Sequence, residues 1–273
     1  MSPLTKAVNN QLLPIYDKPL IYYPLSVLML AGIKDILIIV NRGQLAQFKK
    51  ILQDGSRFGI KISYAEQISP KGLPDAFILG EKFIGDGNVA LILGDNFFYG
   101  QSLTNKLKKC IQLKTGCRIL LHPVKKPELY GVATINKKNK IKSIREKPKN
   151  TKSNLAITGL YFFDNKVVSY SKLLKPSKRK ELEIVDLLNK YRKKNKLNAE
   201  LLGRGGAWLD TGSIDDFYNT SAFVSALENR QGFKIACLEE IAFKNNWITK
   251  KNILEATKFY GNCAYSNYLR KIE

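Results

Sequence analysis

The sequence predicts an α/β fold: a mixed, mostly parallel sheet flanked by helices, ending in a helical tail. Three observations lead there. Short β-branched runs alternate with helix-period segments through the first half of the chain, the spacing of βαβ units. Beyond residue 130 the strand-like runs follow one another closely, in the antiparallel manner. From Ile214 onward the pattern is mostly helical.

Taken in order, Asp17 is placed to cap a helix whose first turn holds Pro19, and Gly32 stands where a closing glycine belongs. Pro24, inside that helix, predicts a lost hydrogen bond and a kink. "IKDILIIV" reads as a buried strand, "QLAQFKKIL" as a helix and "IKISYA" as a strand. "SPKGLPDAFILGEKFI" forms a second loop-to-helix unit before "NVALILGD", another run expected to be buried. A helix over 103–113 precedes the strand "CRILLH". "YGVATIN", "KIKSIREK" and "NLAITGLYFFD" are the close-set strands. In the segment from Glu181 to Tyr191, the residues Ile184, Leu187, Leu188 and Tyr191 share one helical face. "LNAELLG" and "AWLDTG" follow. No repeat or long linker interrupts the 273 residues, so the expected division is a core over 1–213 with a helical segment over 214–273 packed on it.

Composition narrows the function. No run approaches the roughly 18 apolar residues of a membrane span, and the start lacks a signal pattern, so a cytoplasmic protein is expected. Cys110, Cys117, Cys237 and Cys263 form no CxxC pair and His122 is the lone histidine, which argues against a zinc site. The net charge of +22 suits anionic substrates or nucleic acid. The basic residues fall in short clusters (Lys106, Lys108, Lys109; Lys137, Lys138, Lys140; Arg192, Lys193, Lys194, Lys196) that read as solvated faces and turns. A nucleic-acid-binding module is therefore the less favoured reading.

Ligands of open parallel sheets bind at the carboxyl ends of strands. "ALILGDNFFYG" puts Asp95 at such an end, and "GRGGAWLDTG" puts Asp210 at another. Two carboxylates could share a divalent cation whose remaining sites go to phosphate and water. Asp95 could equally cap a tight turn, and spacing alone does not bring the two together.

The ordered set "PLTKAVNNQLLPIYDKPLIYYPLSVLMLAGIKDILII", "LGDNFFYG", "YGVATI", "REKP", "AITGLYFFD", "ELEIVDLLN", "GRGGAWLDTGS" and "ENRQGFKIACLEEIAF" resembles the glucose-1-phosphate thymidylyltransferase family of sugar nucleotidyltransferases, from Pro3 to the C-terminus. The resemblance implies a Rossmann-like domain that, with Mg²⁺, transfers a thymidylyl group from dTTP to glucose 1-phosphate. Pyrophosphate leaves in line and no covalent enzyme intermediate forms. It also implies a homotetramer in nucleotide-sugar biosynthesis, on the route to dTDP-rhamnose and O-antigen lipopolysaccharide. By the same resemblance Asp95 and Asp210 match the magnesium carboxylates, and Gln67 and Gly72 the positions that read the thymine edge. Tyr130 and Gly131 match the stretch beside the sugar, Glu146 the carboxylate on its hydroxyls, and Ile157 and Tyr161 the strand lining its site. Lys147 matches the lysine on the sugar phosphate, and Arg179 a second phosphate contact.

Two departures stand out. The family carries a buried strand and a GGxGTRL phosphate loop before "PLT", where this sequence has Met1-Ser2. Asn10 stands where the pattern has a phosphate-facing lysine. Losing one charge-stabilising group typically costs on the order of 10²–10³ in rate. Without that strand, two neighbouring strands should show unpaired edges and the core a gap. The alternative reading is a catalytically impaired nucleotide-sugar binder or a partner subunit of an intact relative.

Overall fold

The computed structural model describes residues 1–137 and 140–272; Lys138 of the second basic cluster and Glu273 at the end of the helical tail lie outside the described residues. After two short 3₁₀ turns, β1 (Pro14–Ile15) and β2 (Lys18–Pro19) form a minimal hairpin and α1 (Tyr22–Leu30) follows. Asp17 therefore does not cap α1. It sits in the hairpin turn and pairs with Lys18 and Lys234, while Lys18 also meets Glu228 at 2.9 Å. Lys18 and Glu228 are both buried, and breaking one side of such a cluster typically costs about 3–5 kcal/mol. Because α1 begins only at Tyr22, Pro24 falls in its first turn, where no intrahelical N–H bond is required, so the expected kink has no cause. Gly32 closes the helix as expected: at φ +87° it donates to the Met29 carbonyl, and Ile33 donates to Leu28, a Schellman end.

β3 (Asp35–Asn41), α2 (Leu45–Leu52) and β4 (Lys61–Gln67) form one parallel βαβ unit. Then come α3 (Asp75–Leu79), α4 (Glu81–Ile84), β5 (Val89–Ile92), β6 (Asn96–Gly100), α5 (Leu103–Ile111) and β7 (Cys117–Pro123). β8 (Gly131–Ile135), β9 (Ile141–Glu146) and β10 (Leu155–Phe163) follow, then α6 (Lys166–Lys172), α7 (Ile184–Lys193), β11 (Leu197–Leu201) and β12 (Gly206–Asp210). The chain closes with α8 (Ile214–Gln231), α9 (Leu238–Lys244), α10 (Lys250–Tyr260) and α11 (Ala264–Arg270).

The sheet is mixed, and β10 is its hub. It pairs antiparallel with β5, β7 and β8; β8 pairs antiparallel with β9; and β7 pairs parallel with β11. Antiparallel pairing thus reaches further into the first half than strand–helix alternation suggests, because β5 takes its partner from the later, close-set strands. β10 is buried from Ala156 to Phe163 and packs Tyr161 and Phe163 against Leu187, Leu188 and Tyr191 of α7. α9 to α11 share a separate core with α1, β3 and β4.

The expected gap is present. β3 pairs only with β4 and β5 only with β10 among the described residues. A groove of about 250 Å³ runs between them, lined by Ile36, Leu37 and Ile39 on one side and by Val89, Leu91 and Ile92 on the other. Every residue of β5 is half-buried instead of buried, because its second edge faces this groove. Leu93 donates to the Gly159 carbonyl, so by alternation Ala90 and Ile92 aim their amides at the groove. Hydrogen exchange should show those two amides exchanging at least about tenfold faster than Leu91 and Leu93. Equal protection would mean that the groove edge of β5 is paired.

Candidate active site

Antiparallel pairing of β6 with β12 sets Asp210 opposite Asn96. Asp95 immediately precedes β6 and Thr211 immediately follows β12. The Thr211 amide and hydroxyl both donate to the Asp95 carbonyl, at 3.0 and 2.7 Å. Two strand ends distant in sequence are thereby locked side by side with their carboxylates as neighbours. Burial, and then the charge of Asp95, push the Asp210 carboxyl up to about 6, against a partial offset from the Gly212 amide at 3.1 Å. Such a pair is suited to a cation. Among the described residues no group of three or more His, Cys, Asp or Glu could hold a metal ion. Two carboxylates alone would leave the other positions of a hard divalent cation to phosphate and water oxygens.

Beside the pair lies a cleft of about 460 Å³, whose lining includes Gln67, Gly72, Gly94, Glu146, Lys147 and Arg179. Gln67 ends β4 and donates to the Asn41 side chain at 2.9 Å. Gly72 has φ +98°, and a Cβ there would lie 2.2 Å from the Leu182 carbonyl oxygen. No side chain fits, and the contact lets Leu182 donate to the Lys71 carbonyl at 2.7 Å. The loop after β4 and the loop before α7 meet across the cleft at this point.

On the other wall, Gly131 faces Glu146 in the β8–β9 register. A Cβ at Gly131 would sit 3.3 Å from Val185, 3.4 Å from Glu146 Oε2 and 3.6 Å from Ile157 Cδ1. Burial, reinforced by Glu183, raises the Glu146 carboxyl, while Arg179 and Lys147 oppose it. Lys147 holds φ +39° although Pro148 follows it, a strained backbone fixed by its amide bond to the Tyr130 carbonyl at 3.0 Å. The Tyr130 ring packs edge-on against Trp208, 5.1 Å between centroids, and burial, then Asp210, raises its hydroxyl.

The sequence reading missed Glu183. It receives Arg179 through two nitrogens, at 3.2 and 2.8 Å, and the Ser177 hydroxyl at 2.6 Å. Burial alone would raise the Glu183 carboxyl, but those bonds hold it lowered. The four-residue spacing of Arg179 and Glu183 was the available signal. Arg179 Nη2 also lies 3.7 Å from Glu146, so this arm spans both acids.

Tyr161 is not at the cleft surface. It is 4% exposed and stacked on Phe163 in the core; burial, then Glu146, raises its hydroxyl. Ile157 is also buried, with its side-chain tip toward Gly131. Asn10 is half-buried in a 3₁₀ turn, next to Gln11, whose side chain packs on Gly94.

A family model described as "Nucleotidyl transferase" matches residues 1–226. A glucose-1-phosphate thymidylyltransferase of Neisseria gonorrhoeae is 52% identical over 98% of this chain and 93% of its own. One from Mycolicibacterium smegmatis is 43% identical over 100% and 94%. Among solved structures, a Bacillus anthracis protein described as a candidate glucose-1-phosphate thymidylyltransferase, in complex with sucrose, superposes with a TM-score of 0.76 at 37% identity. That match covers 82% of this chain and 89% of that one. A UDP-glucose pyrophosphorylase complexed with UDP-glucose gives 0.72 at 26% identity, covering 85% and 94%.

The burial of Asp210, to which the charge of Asp95 adds, has a measurable consequence in the metal-free protein. A carboxyl raised from 3.8 to about 6 favours the fold while protonated, so that stability is full below about pH 4 and is lost as pH rises through about 6. Asp95→Asn removes the second of these causes, and should raise the metal-free melting temperature at neutral pH by about 2–4 °C and flatten this pH dependence in part. An unchanged or lower melting temperature would show that the two carboxylates do not repel.

Proposed function

The chain belongs to the nucleotidyl transferase family, among the glucose-1-phosphate thymidylyltransferases, and we propose that it transfers a thymidylyl group from dTTP to glucose 1-phosphate, releasing pyrophosphate. The observation that supports this most is the juxtaposition of Asp95 and Asp210 at the paired ends of β6 and β12, beside the cleft of Gln67, Glu146, Lys147 and Arg179. We assign Mg²⁺ to the acidic pair, where it would neutralise charge on the triphosphate and polarise the α-phosphoryl group.

The chain's own residues then divide the work. Gln67 and the backbone at Gly72 hold the base on the β4 side of the cleft. Glu146 accepts hydrogen bonds from sugar hydroxyls, and Tyr130 and Gly131 let the ring approach β8. Lys147 and Arg179 hold the sugar phosphate and orient its oxygen toward the α-phosphorus. Glu183 keeps Arg179 extended across the cleft. Ile157 closes the floor, and Tyr161 packs the strand beneath it. Catalysis on this reading is positioning and charge neutralisation.

We divide the chain into a catalytic core over 1–213 and a helical segment over 214–273 packed on it, and assign a cytoplasmic homotetramer that supplies dTDP-glucose for rhamnose and O-antigen synthesis. No helix among the described residues is long and apolar enough to cross a membrane.

Incubating the protein with dTTP, glucose 1-phosphate and Mg²⁺ should release pyrophosphate and dTDP-glucose, and replacing dTTP by other nucleoside triphosphates should lower the rate. Failure to form dTDP-glucose while the protein still binds dTTP would favour a catalytically impaired binder. Asn10 supplies no charge where a lysine would, so Asn10→Lys should raise kcat/KM by about tenfold or more. No gain would place position 10 outside phosphate reach.

A further inference from the structure

Asn96, which follows the acidic residue of "LGDN", is 2% exposed and makes three hydrogen bonds with its side chain. Its Oδ1 accepts from Trp208 Nε1 at 2.6 Å and from the Gly159 amide at 3.1 Å. Its Nδ2 donates to Asp95 Oδ1 at 3.0 Å. The chemistry of the partners fixes this orientation: an indole N–H and a backbone amide can only donate, and a carboxylate can only accept. The amide cannot turn over without placing N–H groups against N–H groups and oxygen against oxygen.

The surroundings are built to this amide. A Cβ on Gly159 would lie 2.5 Å from Asn96 Oδ1, so only glycine lets β10 come this close. The β10–β7 register shifts between Ile157 and Tyr161, the stretch that contains Gly159. Trp208, opposite Phe98 in the β6–β12 ladder, is itself buried and backed by Tyr130 and His122. Asp95 is thus gripped twice, its backbone carbonyl by Thr211 and its side chain by Asn96.

We propose that Asn96 is a positioning residue: locked by Trp208 and Gly159, its amide holds the Asp95 carboxylate in the orientation that faces Asp210, so that the two acids can share one divalent cation. This rests on the assignment of Asp95 and Asp210 as cation ligands. Hydrogen-bonded partners of carboxylate ligands typically contribute about 10–100-fold to metal affinity when removed.

The test uses Mn²⁺ as the probe, titrated by electron paramagnetic resonance into the substrate-free protein at a pH where the ¹³C shift of the introduced carboxyl shows it ionised, since burial beside Asp95 raises that carboxyl. Asn96→Asp keeps the shape and the oxygen that accepts from Trp208 and Gly159, and replaces the donor to Asp95 by a second oxygen. Added negative charge alone would tighten Mn²⁺ binding; loss of Asp95 orientation loosens it. The sign therefore separates the two. The expected result is binding weaker by about tenfold or more, with the Trp208 indole N–H resonance still shifted by its hydrogen bond. Trp208→Phe removes one anchor of the amide without touching Asp95, and should weaken Mn²⁺ binding by a smaller factor, about threefold.

Equal or tighter Mn²⁺ binding in Asn96→Asp, or unchanged binding in Trp208→Phe should the first variant not fold, overturns the positioning role. Asp95→Asn is the control for the underlying assignment. If it binds Mn²⁺ like the unmodified protein, the acidic pair is not the cation site, and that failure is distinct from a failure confined to Asn96.

Discussion

Two like charges held together in a partly buried place are unfavourable, and this fold makes that juxtaposition unavoidable. The ladder between β6 and β12 fixes the register, and Thr211 closes it by donating twice to the Asp95 carbonyl. Burial, and then the charge of Asp95, push the Asp210 carboxyl up to about 6. On the proposed reading, a divalent ion would turn the same geometry from a destabilising contact into a binding site. The remainder of the active site is arranged around that point: the cleft begins at Gly94, one residue before Asp95, and Lys147 is close enough to lower Asp210 slightly.

Backbone economy brings the cleft walls to the same place. At Gly72 and Gly159 a Cβ would strike the Leu182 backbone and the Asn96 amide, and at Gly131 it would press on the Val185 side chain. The first lets two loops bridge the cleft, the second lets β10 reach β6, and the third lets β8 lie against Glu146. The Glu183–Arg179–Glu146 chain of charges then spans the opening, with Arg179 half-exposed and able to meet a phosphate. Its bonds to Glu183 restrain the long side chain, which would reduce the entropy lost if a phosphate bound there.

Local pattern made most of the helices and strands legible. The face of Leu187, Leu188 and Tyr191 is buried as its spacing implied, and Gly32 ends α1 as expected. What failed was competition between neighbouring signals. Asp17 and Pro19 are good helix-start residues, but the turn between β1 and β2 and the ion cluster with Lys18, Lys234 and Glu228 claimed Asp17 first. The strand β6 was hidden in a run that reads as a strand end and turn, because its partner β12 lies far along the chain. Pairing across such distances has no local signature, which is also why β5 could not be foreseen beside β10. Among the site residues, Asp95 and Asp210 were readable as strand-end acids, but their meeting was not. Gln67, Gly72, Glu146 and Lys147 entered by resemblance, and they line one cleft. Tyr161 entered by the same resemblance, as part of the strand lining the sugar site; its ring is buried in the core against Phe163. Glu183 bonds Arg179 and Asn96 bonds Asp95; the four-residue spacing hinted at the first, and the second has no local signature.

The most direct test of the acidic pair is anomalous diffraction from crystals of the protein grown with Mn²⁺ and dTTP. The account predicts one strong manganese peak between the Asp95 and Asp210 carboxylates, with nucleotide phosphate oxygens completing its shell. A peak elsewhere, or a nucleotide bound with these two carboxylates facing apart, would contradict it.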